Sequence, residues 1–378
     1  MAGARVKAPS LKAGTIGSIL IKAVALLAVY FVVFALINVG IIDTFWQATI
    51  VTIGINIILG VSLNLITGFT GQFSLGHAGF MAIGAYTTGI ITIHFPTVWG
   101  FLGGILAGGL LAALVGLLVG LPTLRLRGDY LAIATLGTAE IIRILFTNAD
   151  ITNGAAGLSD IPRIVNWTWI YLFTAISVIL IANFLRSVPG RDLVAVREDE
   201  IAAASIGVRA VRAKTLAFVI GAFFGAVAGG LYASYFYVLQ PKFFGFLKSV
   251  DILIIVVLGG MGSLSGTIIA AILLAYVNTL LQPFPELRMI IYGLILVVIM
   301  VFRPQGLMGD KELTIRTFTR VVPTRLRQAA PGWRPDTAGA GSPEPDNPTE
   351  PEGPAHSLPA HDAGADWQPD DTTKEAGS

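Results

Sequence analysis

Apolar runs recur along this chain from about residue 19 to residue 302, with few charges to interrupt them. A run of roughly 18 or more apolar residues reads as a membrane-crossing helix. A membrane β-barrel would instead alternate apolar and polar residues at every second position. The runs here are continuous, which predicts an all-α, polytopic membrane protein. Ten segments are expected, at about 19–40, 45–66, 72–93, 98–121, 129–147, 167–186, 215–237, 249–261, 264–282 and 286–302, within a range of eight to ten. Composition agrees: 13% of residues are charged, about half the roughly 25% of a soluble domain.

Lys and Arg concentrate on the cytoplasmic side of membrane proteins. The basic groups are Arg5/Lys7/Lys12, Arg125/Arg127, the stretch from Arg186 to Lys214, and Arg303/Lys311/Arg316/Arg320. With both termini cytoplasmic, all four groups fall inside on the ten-segment count, while Arg163, Lys242 and Lys248 fall outside. The basic N-terminus ahead of run 19–40 looks like a signal peptide, but the run is too long and no small-x-small site ends it. An uncleaved span is expected.

Four regions follow: a cytoplasmic N-terminus (1–18), a permease-like body (19–309), a basic juxtamembrane segment (310–329) and a tail (330–378). The tail holds ten acids, two bases and nine prolines, a net −8, so the rest of a chain of net charge +2 carries +10. Low hydrophobicity with high charge and proline predicts disorder there. The absence of cysteine excludes disulfides, thiolate metal sites and cysteine nucleophiles.

One polar island interrupts the body. The loop at 186–214 is rich in Ala and Glu, with helix formers from Asp192 to Ile206, Pro189 and Gly190 at its start and Gly207 at its stop. Val194, Ile201, Ala204 and Val208 form a narrow apolar stripe, with Arg197, Glu198 and Asp199 beside it. Such a helix either docks into a groove on a partner or lies on the surface as a solvated face.

A second feature is "LGGMGSLSG", which ends the short segment 249–261. Its glycines, Gly259 and Gly260 among them, break the helix as a tight hairpin or as part of a pathway, since irregular backbone at membrane depth needs protein or a water-filled cavity around it. A third is "GFTGQFSLGHAGFMAIGAY" (68–86). Gln72, Ser74 and His77 are polar groups at membrane depth, functional candidates by default. They line a translocation pathway, or they cap and bridge neighbouring helices. Broken helices aim backbone dipoles that can hold a zwitterion's two ends. Glu140 and Arg143, at i and i+3, are spaced to pair and read as a structural pair. Gly221, Gly225 and Gly229 recur every four residues, as do Gly104 and Gly108, and are assigned to close helix packing. "TNADITNGAAGLSDIP" (147–162) is the natural outer contact for a binding protein, or a plain loop.

Several stretches resemble one family. "REDEIAAASIGVRAVRAKTLAFVIGAFFGAVAGGLYA" is similar to the cytoplasmic loop and following span of ATP-binding cassette (ABC) importer permeases for branched-chain amino acids. The stretch 68–86, "VLGGMGSLSGTIIAA" (257–271) and "IYGLILVVIMVFRPQGLMG" (291–309) resemble its other blocks. The "SLGHAGF" form is similar to the LivM-like branch of the family rather than the LivH-like branch. The resemblance covers about residues 45–309 and implies a coupling helix seated on an ATPase subunit. The family's Glu-Ala-Ala-x-x-x-Gly motif maps onto Glu200, Ala202, Ala203 and Gly207, with one extra residue between Glu and Gly. With Arg197 and Glu198 these are the expected coupling residues.

The resemblance further implies transport of leucine, isoleucine and valine across the inner membrane of a bacterium. The implied partners are a LivH-like permease chain, two ABC ATPase subunits, an extracytoplasmic substrate-binding protein and membrane lipid. The chain has no P-loop, so ATP and Mg²⁺ are expected on the partner ATPases and no cofactor, catalytic residue or metal site in this chain. Urea or short-amide permeases share the architecture and are the alternative. An ion-coupled secondary transporter would show unpaired carboxylates in its spans, and a membrane scaffold would not need glycine-broken segments.

Overall fold

The computed structural model describes residues 13–123 and 128–284, together with 291, 293, 294, 306 and 307. Among these residues there are eleven α-helices and no β-strand. They are α1 (Ala13–Asn38), α2 (Thr44–Thr70), α3 (His77–His94), α4 (Val98–Thr123), α5 (Asp129–Asn148), α6 (Trp167–Arg186), α7 (Val188–Glu198), α8 (Glu200–Ser205), α9 (Ala210–Phe236), α10 (Phe246–Gly259) and α11 (Leu264–Leu280). Nine of the ten expected apolar segments fall on helices. The tenth, 286–302, lies outside the described residues except at three positions, and so do the expectations for 1–12, 310–329 and 330–378. By length and composition α2, α4, α5, α6 and α9 can each cross a membrane.

The two longest helices, α2 and α9, with 27 residues each, form the centre. α9 packs against α2, α3 and α4, while α2 also carries α6, α10 and α11. Between membrane helices close packing does the work that the hydrophobic effect does in water, and the small residues of α9 supply it. Gly221 faces Ile66 and the Ser62 carbonyl of α2, Gly225 faces His77, and Gly229 faces the Met81 carbonyl of α3. Gly104 and Gly108 of α4 meet Thr88 and Gly84 of α3 in the same way. The far sides of α4 (Leu106, Leu110, Leu114, Leu118) and α6 (Leu172, Ile176, Ile179) are exposed and carry no charge. These are surfaces for acyl chains.

Two local expectations are corrected. The third segment does not run as a helix from residue 72. Gly71 adopts φ +70°, caps α2 through its N–H to the Ile66 carbonyl, and residues 71–76 have no regular structure before α3 starts at His77. The loop helix expected over 192–206 is two helices, split at Asp199. The Asp199 carboxylate accepts from the N–H groups of Ile201 (2.8 Å) and Ala202 (3.0 Å), the N-cap geometry that starts a new helix. The apolar stripe from Val194 to Val208 therefore does not lie along one helix.

The break at 259–263 is a tight hairpin. Gly260 and Gly262 take φ +105° and +91°, conformations open to glycine at no steric cost. α10 and α11 approach so closely that a Cβ on Gly266 would lie 2.0 Å from the Gly259 carbonyl oxygen.

Candidate functional site

Two irregular segments lie near the end of α2: the stretch 71–76 and the α10–α11 hairpin. Asn64, on α2, ties the hairpin to α2. Its side-chain amide donates to the Ser263 carbonyl (3.0 Å) and the Thr267 hydroxyl (2.8 Å), and its oxygen accepts from the Gly262 N–H (2.9 Å). Asn64 is fully buried, so each of these groups lacks water as an alternative. Asn64→Ala is expected to lower the thermal unfolding midpoint of the purified chain in detergent, at roughly 1–3 kcal/mol for each group left without a partner. A wild-type midpoint would show that the hairpin holds itself.

The polar side chains at this break are sheltered, while Phe73 between them is exposed. Gln72, Ser74 and His77 are 5%, 1% and 1% exposed. α5 covers one side: Thr135 accepts from the Leu75 N–H at 3.1 Å, and its carbonyl would lie 2.6 Å from a Cβ on Gly76. α10 covers another, with the Ser249 hydroxyl accepting from the Ala78 N–H at 3.3 Å. This satisfies the requirement that irregular backbone at depth be sheltered.

Within this enclosure the polar groups are incompletely paired. His77 Nε2 lies 2.8 Å from the Ser62 hydroxyl, which donates to the Leu59 carbonyl. With that proton committed, Nε2–H is the donor to Ser62, and Nδ1 carries a bare lone pair. His77 Nδ1, Gln72 Oε1, Ser74 Oγ and the nearby Thr67 Oγ1 are buried without hydrogen-bond partners. Such groups are rare in folded proteins and mark places served by water, a ligand or a second conformation. The structure thus brings Gln72, Ser74 and His77 onto one sheltered stretch. Gly259 and Gly260 stand apart from it, in the hairpin that Asn64 ties to α2.

The loop residues divide by direction. Arg197, at the end of α7, is itself exposed, but its guanidinium reaches back to donate to the Gly68 carbonyl at 2.8 Å and lies against Gly262. Glu200 pairs with Lys214 of α9 at 2.9 Å, which holds α8 to α9. Ala203 is buried. Glu198, Ala202 and Gly207 are exposed, and Gly207 closes α8 at φ +91° with open space around it. Ile201 and Ile206, at the two ends of α8, are 82% and 77% exposed. Sequence reasoning placed Ile201 only in a stripe and passed over Ile206, Lys214, Ser62 and Asn64. The last two carried a usable signal, being polar residues inside an apolar run.

Glu140 and Arg143 do pair, Nε to Oε2 at 2.7 Å, with each side chain 32% exposed.

A family model described as "Branched-chain amino acid transport system / permease component" matches residues 46–300. The chain is 40% identical over 289 residues to the high-affinity branched-chain amino acid transport system permease protein LivM of Escherichia coli (strain K12), covering 67% of this chain and 68% of that one. It is 28% identical over 326 residues to the probable branched-chain amino acid transport permease protein LivM of Methanocaldococcus jannaschii, covering 69% and 92%. It is 24% identical over 288 residues to the permease protein LivH of Salmonella typhimurium (strain LT2), covering 68% and 92%.

Proposed function

The chain belongs to the branched-chain amino acid transport permease family, and from that premise we propose that it is the LivM-like membrane subunit of an ATP-driven importer for leucine, isoleucine and valine. A LivH-like chain pairs with it in the inner membrane, two ABC ATPase subunits bind ATP and Mg²⁺ below, and an extracytoplasmic binding protein delivers substrate. All ten segments cross or enter the bilayer, with both termini cytoplasmic.

The observation that carries the coupling role is the exposure of Ile201 on α8 and of Ile206 just past its end. Two bare isoleucines on a charged cytoplasmic loop form an anchor for a groove on a partner. Closure of the ATPases moves α8 and α7 together. Arg197 passes that movement to the end of α2 and to the α10–α11 hairpin, the two elements beside the stretch 71–76. Gln72, Ser74 and His77 then exchange partners as access alternates. Glu200, held by Lys214, fixes the angle of α8 on α9.

The test is leucine uptake by liposomes holding this chain with its LivH-like partner, the ATPases and the binding protein. Uptake should need ATP and the binding protein, be competed by isoleucine and valine, and be unaffected by urea. Ile201→Asp with Ile206→Asp should strip the ATPases from the purified complex and abolish uptake. Transport of urea or an amide in place of leucine would correct the substrate. Transport driven by an ion gradient without ATPases would overturn the reading.

A further inference from the structure

Among the described side chains, Glu140 and Arg143 of α5 are charges near the middle of a helix long and apolar enough to cross a membrane, while Lys248 and Asp251 lie in the first two turns of α10. Lys242 stands on the 3-10 turn Pro241–Phe244 that leads into α10. α5 has 20 residues, or ~30 Å at 1.5 Å per residue, which places Glu140 within about 5 Å of its middle. That position is the most costly for a charge in contact with lipid.

The Glu140–Arg143 pair is nonetheless one-third open. Beside it, Gly137 faces empty space, while Ile141, Ile144, Phe243, Phe246 and Leu247 are exposed. Gly245 backs the pair, with its Cβ position 3.7 Å from Arg143 Cδ and 3.9 Å from Glu140 Oε1. The lipid-suited faces of α4 and α6 carry nothing comparable. A half-open ion pair at that depth is poorly suited to acyl tails alone.

Resting on the permease reading above, we propose that Glu140 and Arg143 form this chain's half of a zwitterion-binding site in the lumen between the two permease subunits. Arg143 bonds Glu140 through Nε, and its terminal nitrogens make no other hydrogen bond among the described residues. That leaves the planar fork suited to a carboxylate. Glu140 Oε1, which takes no part in that bond, is left for the ammonium group of the same molecule. An amino acid carries both charges on one carbon, so an adjacent pair of opposite sign matches it, whereas an amine or an acid alone meets one attractive and one repulsive partner. Ile141, Phe243 and Phe246 offer the apolar surface that an aliphatic side chain needs.

The discriminating variant is Glu140→Gln with Arg143→Gln in the full complex. A structural pair satisfies itself, and removing both charges together is tolerated, so the double variant would then transport leucine as wild type does. The proposal expects leucine uptake to fall about 100-fold, the scale of losing two charge-assisted hydrogen bonds. An independent readout uses the absence of native cysteine. Gly137→Cys should react with a small charged thiol reagent in assembled complex and be protected by leucine, whereas Leu114→Cys on α4 should not react. Wild-type uptake in the double variant, or equal inertness of both cysteines, overturns the proposal. Failure of the unmutated complex to transport leucine would instead overturn the functional reading on which it rests.

Discussion

Gly229→Leu is expected to leave no folded chain in the membrane. A Cβ at Gly229 would sit 1.9 Å from the Met81 carbonyl oxygen and 2.9 Å from the Ala85 N–H nitrogen, and a Cβ at Gly84 would sit 2.0 Å from the Ala226 carbonyl oxygen. These are backbone-to-backbone contacts between α3 and α9, so no rotamer change relieves them. α9 has no free direction in which to retreat, because α2 and α4 hold its other sides. Inserting a single methylene into a packed core costs about 1–3 kcal/mol. Here a whole side chain must force apart a pair of helices whose contact is the main support of α3. Gly103→Leu is the control, since Gly103 meets nothing within 4 Å and leucine there would only add to an exposed apolar face. Size-exclusion profiles and thermal midpoints of the two variants in detergent decide the matter. If Gly229→Leu eluted and melted with wild type, the α3–α9 contact would be plastic and glycine there unnecessary.

The same glycines show how far sequence reading reaches. Spacing alone placed Gly221, Gly225 and Gly229 on one face and assigned them to packing, and each does meet a neighbouring helix. Helix positions were legible for a similar reason: an apolar run long enough to cross a bilayer has few other ways to satisfy its backbone. What sequence did not show is partnership. Nothing near Asn64 announces Gly262 and Thr267, roughly 200 residues away along the chain, because a side-chain hydrogen bond leaves no periodicity behind. The break at 71–76 was visible only as a glycine-rich composition, and its exact edge depends on Gly71 taking the left-handed conformation. The split of the cytoplasmic helix at Asp199 had a local cause, since Asp is a strong N-cap, but a run of helix formers on both sides masked it. Glu140 and Arg143 were legible as a pair. Their opening to one side was not, because exposure depends on what α5 packs against.

Arg197→Ala is expected to separate ATP hydrolysis from transport. Gly68 belongs to the last turn of α2, where carbonyls lack helical partners and the helix dipole favours a cation. Arg197 supplies that cation from α7. Its terminal nitrogen would lie 2.5 Å from a Cβ on Gly262, and its Cγ 3.5 Å from one on Gly71. One arginine side chain thus touches the end of α2, the start of the stretch 71–76 and the α10–α11 hairpin. In alanine the loop helices keep their own supports, the Asp199 cap and the Glu200–Lys214 pair, so the ATPases still have a surface to bind. The push on α8 then no longer reaches the break directly. Leucine moved per ATP hydrolysed should drop roughly tenfold or more, the scale of a lost charge-assisted hydrogen bond. Arg197→Lys should restore some of it, because a lysine ammonium can reach the Gly68 carbonyl but lacks the planar fork that fills the space against Gly262. Measuring uptake and phosphate release on the same proteoliposomes separates transmission from mere stability. A purely structural arginine would lower both rates together by reducing intact complex. A transmitting arginine lowers the ratio. An unchanged ratio in Arg197→Ala would remove this residue from the path and leave the α7–α9 packing to carry the motion.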